Sequence, residues 1–213
     1  MRTLERTCSV IATDRDGIAQ AQTTAGAVDA VLNGVGVTAG VATLSPPRRV
    51  RVFSGSNIAA SVFTIYGTDR VGTVISDTVT GVNNTTVATL KLFATVTRVA
   101  TGAAVASNFE VGWNDESISS WIILGSMSRN YAWTLHAFKT AAGTQDFDVE
   151  GTSQNLLRDK VAGEHPDHLI TLAANQTADY QSANAAPISA VRLKLNTTTN
   201  VAHKLRVQPS VTS

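Results

Sequence analysis

Apolar and polar positions alternate with period two through most of this chain. Val50 and Val52 flank Arg51, with Arg49 before them. One face is apolar and the other cationic, as on an antiparallel strand with one side in water. Phe63 and Ile65 share one parity; Val62, Thr64 and Tyr66 share the other, and Gly67-Thr68-Asp69-Arg70 follows as a turn. Thr73 to Thr80 has strand composition and ends in the turn residues Gly81-Val82-Asn83-Asn84. Thr86 to Val99 is apolar on both faces and reads as one long central strand, or as a strand whose faces a bulge exchanges.

The second half continues in the same style. Ser117–Leu124, Tyr131–Phe138 and Asp146–Val149 read as strands. Val191, Leu193 and Leu195 alternate with Arg192 and Lys194, and Leu205 and Val207 alternate with Lys204 and Arg206. Asn196-Thr197-Thr198-Thr199-Asn200 between these runs predicts a hairpin. Helical signals are thin. Ile18 to Val31 is Ala-rich, but Gly17, Gly26, Thr23 and Thr24 interrupt it, so it reads as a short helix or an extended arm. Leu156 to Ala162 has the composition of one helical turn before Gly163.

Strands every ~8–12 residues with turns between them predict sandwiches or barrels. The expected architecture is all-β, with two β-sandwich domains of immunoglobulin-like or jelly-roll-like type and an irregular N-terminal arm over residues 1–45. The boundary is expected near Gly112-Trp113-Asn114-Asp115, giving domains 1–112 and 113–213.

Composition narrows the functional classes. Of the 213 residues, 15% are charged and the formal net charge is +1. An electrostatic nucleic-acid binder needs an excess of Lys and Arg to neutralise phosphates, and a polybasic membrane surface needs the same. Neither nucleic acid nor membrane is therefore expected as a partner. No apolar run reaches the ~18–20 residues of a spanning helix, and the segment from Met1 to Thr7 lacks the apolar stretch of a secretory signal. Cys8 is the one cysteine, so no internal disulfide forms, consistent with folding in a reducing cytoplasm.

Candidate chemistry is sparse. His165-Pro166-Asp167-His168 is the one histidine cluster, and Pro166 keeps its two rings off a shared helical face, so a polar loop is expected rather than a zinc site. His136 and His203 are expected on sheet surfaces. Ser54-Gly55-Ser56 lacks the strand–elbow–helix pattern of a nucleophilic serine. Cys8 lies in an apolar-leaning stretch that favours an inert thiol. Asp115-Glu116 and Asp146/Asp148/Glu150 are the densest acidic groups. The latter put three carboxylates on one strand face, too close to act across a glycosidase cleft, and read as a solvated face rather than a calcium site. Gly34-Val35-Gly36 lacks the third glycine of a phosphate cradle. Trp113, Trp121, Tyr131 and Trp133 would stack on sugar rings if exposed, but Tyr131 and Trp133 share parity with Leu135, which predicts inward packing. No catalytic, cofactor-binding or metal residue is assigned.

Three stretches resemble a known pattern. Val62-Phe63-Thr64-Ile65-Tyr66-Gly67-Thr68-Asp69, Ile75-Ser76-Asp77-Thr78-Val79-Thr80-Gly81-Val82-Asn83 and Phe93-Ala94-Thr95-Val96-Thr97-Arg98-Val99 resemble segments of virion structural proteins of tailed bacteriophages and prophages. Asp14 to Thr23 resembles that family's N-terminal arm. Val111-Gly112-Trp113 with Ser119 to Leu124, and Ala186 to Leu193, resemble its middle and late strands. The chain departs at Ile123, where the family carries Pro, and across residues 138–167. The resemblance implies a structural role in the virion, without catalytic residues, and does not specify the virion part. The expectation is a non-enzymatic component without cofactor, made in the host cytoplasm and placed at the neck or tail apparatus, with capsid decoration as the alternative and a glycan-binding module as a further one. Its implied partners are other copies of itself and other virion proteins: portal, adaptor, tail or major capsid protein. Because the arm over residues 1–45 has few strong local signals, it is expected to order by lying on a neighbouring subunit or by adding a strand to that subunit's sheet edge.

Overall fold

The computed structural model describes residues 3–9, 12–113, 117–124, 132–154, 169–184, 188–196 and 202–210. Its regular elements are all strands, and among the described residues there is no helix. The described residues divide into two compact units, one of residues 12–113 and one joining residues 3–9 to those from 117 onward.

The unit of residues 12–113 contains β2 (Asp14–Thr24), β3 (Val37–Thr38), β4 (Val41–Arg48), β5 (Arg51–Phe53), β6 (Val62–Thr68), β7 (Val74–Thr80), β8 (Thr86–Ala88), β9 (Phe93–Thr101) and β10 (Val105–Trp113). One sheet has the order β2-β10-β5-β8 and the other β3-β4-β9-β6-β7. If β2 and β4 to β10 are lettered B to I in chain order, the sheets read B-I-D-G and C-H-E-F, with β3 added at the edge. That order arises when an antiparallel ribbon, B against I, C against H, D against G and E against F, rolls up so that successive rungs alternate between sheets. It is the jelly roll, a double-sheet fold of two Greek keys.

The apolar parity seen in the sequence supplies the filling. Ile18, Val52, Phe109 and Val111 of one sheet meet Leu44, Phe63, Ile65, Phe93, Val96 and Val99 of the other. The rings of Phe63 and Phe109 touch across the gap, with centroids 5.0 Å apart.

The other unit contains β1 (Leu4–Cys8), β11 (Ser117–Ile118), β12 (Ile122–Ile123), β13 (Ala132–Lys139), β14 (Phe147–Thr152), β15 (Leu169–Gln176), β16 (Tyr180–Asn184), β17 (Ala190–Leu195) and β18 (His203–Ser210). Its sheets are β1-β18-β13-β16 and β11-β17-β14-β15, with β12 also on β17. Lettered the same way, with β1 as B and β11 and β12 sharing position C, the order is again B-I-D-G and C-H-E-F. Cys8, Leu135, Ala137, Leu205 and Val207 face Ile122, Phe147, Val149, Val191, Leu193 and Leu195 across its core. The chain therefore builds one roll twice. The whole of the first roll is inserted between strands B and C of the second.

Four sequence expectations change. The irregular arm expected over residues 1–45 instead contains the regular strands β1, β2, β3 and the start of β4. In β2 the register against β10 shifts three times, so the in-out rhythm is broken and Ile18 and Ala19 are both buried. The arm's first strand belongs to the second unit, through five antiparallel pairs from Leu4↔Val207 to Cys8↔His203.

The single strand over residues 86–99 is two strands in opposite sheets, β8 and β9. The crossing is held by side chains. Thr89 Oγ1 accepts the Val50 amide at 3.0 Å, and an Asp77 carboxylate oxygen accepts the amides of Leu90 and Lys91 at 2.7 and 3.0 Å. The strand expected over residues 117–124 is likewise broken, into β11 and β12.

The hairpin expected between residues 191 and 207 is an arch. β17 and β18 lie in opposite sheets and pair with other strands. Alternation reveals that a strand buries one face, not which neighbour shares its ladder. The helical turn expected over residues 156–162 lies outside the described residues.

The nested order has a direct consequence. Residues 12–114 produced alone are expected to give a β-type circular dichroism spectrum and one cooperative urea transition, which Phe109→Ala (0% exposed) weakens by about 3–5 kcal/mol. Residues 115–213 alone lack strand B and are expected to unfold without cooperativity. A molten 12–114 fragment, or a cooperative 115–213 fragment, contradicts the arrangement.

Candidate functional site

The second roll places its acidic group on the outer side of β14. Asp148 and Glu150 stand directly across from Lys194 and Arg192 of β17. The sequence predicts a solvated acidic face; the structure closes it. Glu150 is 5% and Arg192 1% exposed, and their charge-assisted hydrogen bond spans 2.6 Å. The Trp121 ring lies under the same guanidinium at 4.4 Å. This burial holds because each charge meets its opposite in the low-dielectric setting where an unpaired one would be costly. Trp121 is drawn inward by the break between β11 and β12, where Ser119 Oγ accepts the Leu193 amide at 3.0 Å.

Asp148 is ligated by the chain itself. The Asn175 amide donates to it at 2.8 Å, the Asn196 side chain at 3.2 Å, and Lys194 Nζ at 3.2 Å. Burial raises its pKa, and these donors and the Lys194 charge more than reverse that, so it lies below the ordinary carboxylate range. Asp146 shares the Asn196 amide at 2.9 Å. The three acids are thus satisfied by Asn and basic side chains, and no group of three metal-ligating side chains occurs among the described residues.

His203, expected on the surface, is fully buried. Its Nε2 lies 3.2 Å from Gln145 Oε1, and its ring packs on Phe147 at 5.1 Å. It opens β18 with inward parity, alongside Leu205 and Val207, and it is the register partner of buried Cys8. His136 is half-buried on β13 and stacks on Phe138 at 4.8 Å. His165, His168, Asp115, Glu116 and Tyr131 lie outside the described residues, as does the side chain of Trp133.

In the first roll, Ser54 is buried and its Oγ donates to the Asn108 carbonyl at 2.6 Å. That anchors the loop containing Gly55. The Gly34-Val35-Gly36 segment is strapped along β2, its two glycine amides donating to Ile18 and Gly17 carbonyls at 3.1 and 2.8 Å. A Cβ on Gly34 would fall 2.2 Å from the Gly17 carbonyl carbon, so the glycine serves this close approach.

A cleft in this roll has a volume of about 230 Å³ and is lined by Thr13, Arg15, Arg51, Phe53, Thr86 and Trp113. Its rings are already covered. The Arg15 guanidinium sits 4.1 Å over Phe53 while pairing with Glu110, and the Arg48 guanidinium sits 4.9 Å over Trp113. Burial pushes the Arg48 pKa down, against the opposing charge of Asp14. The Trp113 indole donates to the Ala12 carbonyl at 3.1 Å. A sugar ring stacking on Phe53 or Trp113 would have to displace these guanidiniums.

The same motif recurs on the other sheets. Arg98 lies over Tyr66 at 4.3 Å and pairs with Asp29 at 3.0 Å. Arg206 lies over Phe138 at 5.3 Å and pairs with Glu5 at 3.2 Å. Arginine, aromatic ring and carboxylate thus form flat, carboxylate-paired plates, with a cation–π contact in each. Sequence reasoning missed these sets, because each joins residues from separate strands. The visible signal was only that Arg occupies the polar parity of Val50–Val52, Val191–Leu195 and Leu205–Val207. Comparison with family models, curated proteins and solved structures finds no match to this chain.

Two measurements probe the acidic face. Arg192→Ala is expected to cost about 3–5 kcal/mol by stranding Glu150, whereas Glu150→Leu with Arg192→Met is expected to cost much less; equal losses in urea melts contradict a buried pair. Because the Asp148 pKa is depressed on folding, its contribution is present above the unfolded value of about 4 and is lost as pH falls through the folded value. Asp148→Asn is therefore expected to lower the melting temperature at pH 7 and to converge with the parent chain at the acid end, as followed by thermal melts from pH 7 to pH 2.

Proposed function

We propose that this chain is a non-enzymatic structural subunit of a tailed-bacteriophage virion, repeated around the neck or tail apparatus as a collar, adaptor-attached or fibre-base protein. The observation that carries the proposal is the pair of nested jelly rolls whose outer faces bear arginine–aromatic plates paired to carboxylates. Jelly rolls recur in viral capsid and lectin domains, which is support by analogy of fold. The plates add a physical reason. Aromatic residues and Arg are the types enriched where proteins meet, and a guanidinium already paired and stacked loses little on leaving water.

The three principal sequence patterns that resemble phage virion proteins fall on β6, β7 and β9 of the first roll, and the further ones reach β2 and β10 of that roll and β12 and β17 of the second. They carry sheet geometry and turn chemistry. Asp69, which closes the first of them, accepts the Val71 and Thr73 amides at 3.0 and 2.9 Å and so sets the β6–β7 turn. The partners on this reading are further copies of the chain together with portal, adaptor, tail or major capsid protein, and the near-neutral charge gives no electrostatic drive toward nucleic acid.

Capsid decoration is the second placement, and stoichiometry separates the two. Mass spectrometry of purified particles with copy-number calibration is expected to find the chain at tens of copies or fewer. Hundreds of copies would move it to the shell, and its absence from particles would overturn the proposal.

A further inference from the structure

We propose that β1 is an exchangeable strand, passed between copies of this chain so that the strand of one copy completes the second roll of the next. The inference rests on the reading of the chain as a repeated subunit for its setting, but its physical basis lies in the nested topology.

Strand β1 is the B strand of a roll whose remaining strands begin at Ser117. Everything between is a roll that is complete without it. Strand β1 has one ladder partner, β18, and stands at the sheet edge. It can leave without breaking any other pairing. The slot it would vacate cannot stay empty. On β18, His203, Leu205 and Val207 are fully buried, and the row of ladder groups facing β1 would be left as an open edge. Such edges template pairing with another strand.

The slot also selects its occupant. Inward, Cys8 is 2% exposed and Leu4 packs against the core. Outward, Glu5 takes Lys204 Nζ at 2.8 Å and Arg206 at 3.2 Å. Lys204 lowers the Glu5 pKa first, with burial opposing and Arg206 assisting. One acid set between two cations fixes the register and matches the slot to this strand. A second copy carries the identical strand, and the contacts made in trans equal those made in cis. The balance between the two states is then set by concentration: the linked strand has an effective concentration on the order of mM, which neighbouring subunits in an assembly reach as well. Five residues, 9–13, separate β1 from β2 and extend at most about 17 Å, so exchange occurs between copies in close contact.

The test uses the full-length chain with Cys8→Ala. One preparation carries Glu5→Cys, and a second, differently tagged, carries Arg206→Cys. These register partners lie within disulfide geometry when β1 sits on β18. Mixed at about 1 mM under oxidised glutathione, they are expected to form a disulfide-linked heterodimer at least tenfold faster than a control mixture of Glu5→Cys with Ile170→Cys, an exposed site on β15. A heterodimer forming no faster than the control overturns the proposal. The double variant Glu5→Cys/Arg206→Cys at micromolar concentration is expected to close within one chain, which verifies that both substitutions leave β1 on β18; failure to close contradicts the slot itself. Both readouts are made on purified chain, so they stand or fall independently of the copy number found in particles.

Discussion

Eight strands rolled into two facing sheets bury their apolar parity only when the ribbon is closed at both ends, and in this chain one closing strand comes from far outside its roll. Leu4, Glu5 and Cys8 reach β18 with a hundred residues of another roll between them and the rest of their own. Stability of the second roll is therefore tied to a strand that the backbone holds only through the short segment before β2. The first roll carries no such debt, since B through I follow one another with only the two-residue edge strand β3 between B and C.

Charge is handled the same way in both rolls. Basic residues occupy the outward parity of many strands, yet each described guanidinium stack is met by a carboxylate or lies beside one: Arg15 with Glu110, Arg98 with Asp29, Arg192 with Glu150, Arg206 with Glu5, and Arg48 near Asp14. Paired in this way, long basic side chains lie flat over rings instead of reaching into water, which covers apolar surface and leaves little net field. The fully buried Arg192–Glu150 pair adds a constraint on strand register, because a one-residue slip between β14 and β17 would strand both charges.

The fold class was legible because period two is a local signal. Val50–Val52, Phe63–Ile65 and Leu205–Val207 announce sheets whatever their neighbours are. Pairing was not legible, because it depends on which edge a strand reaches after a turn. Residues 86–99 read as one strand, and the crossing between sheets is fixed by hydrogen bonds that Thr89 and Asp77 accept from distant or later backbone amides. β2 was hidden for a different reason: its bulges place adjacent residues Ile18 and Ala19 inward together, which mimics neither a strand nor a helix. His203 was misplaced because it borders the loop that was expected to close a hairpin, although its own parity is that of Leu205 and Val207. The acids of β14 were correctly put on one face, but their partners sit forty-odd residues away on β17, beyond any local reading.

Hydrogen–deuterium exchange followed by mass spectrometry addresses the nested roll most directly. The amides of residues 4–8 are expected to be protected together with those of residues 203–207, and both sets are expected to lose protection in the same denaturant range, as members of one cooperative unit. Residues 4–8 exchanging at free-chain rates while β18 stays protected would contradict the nested roll.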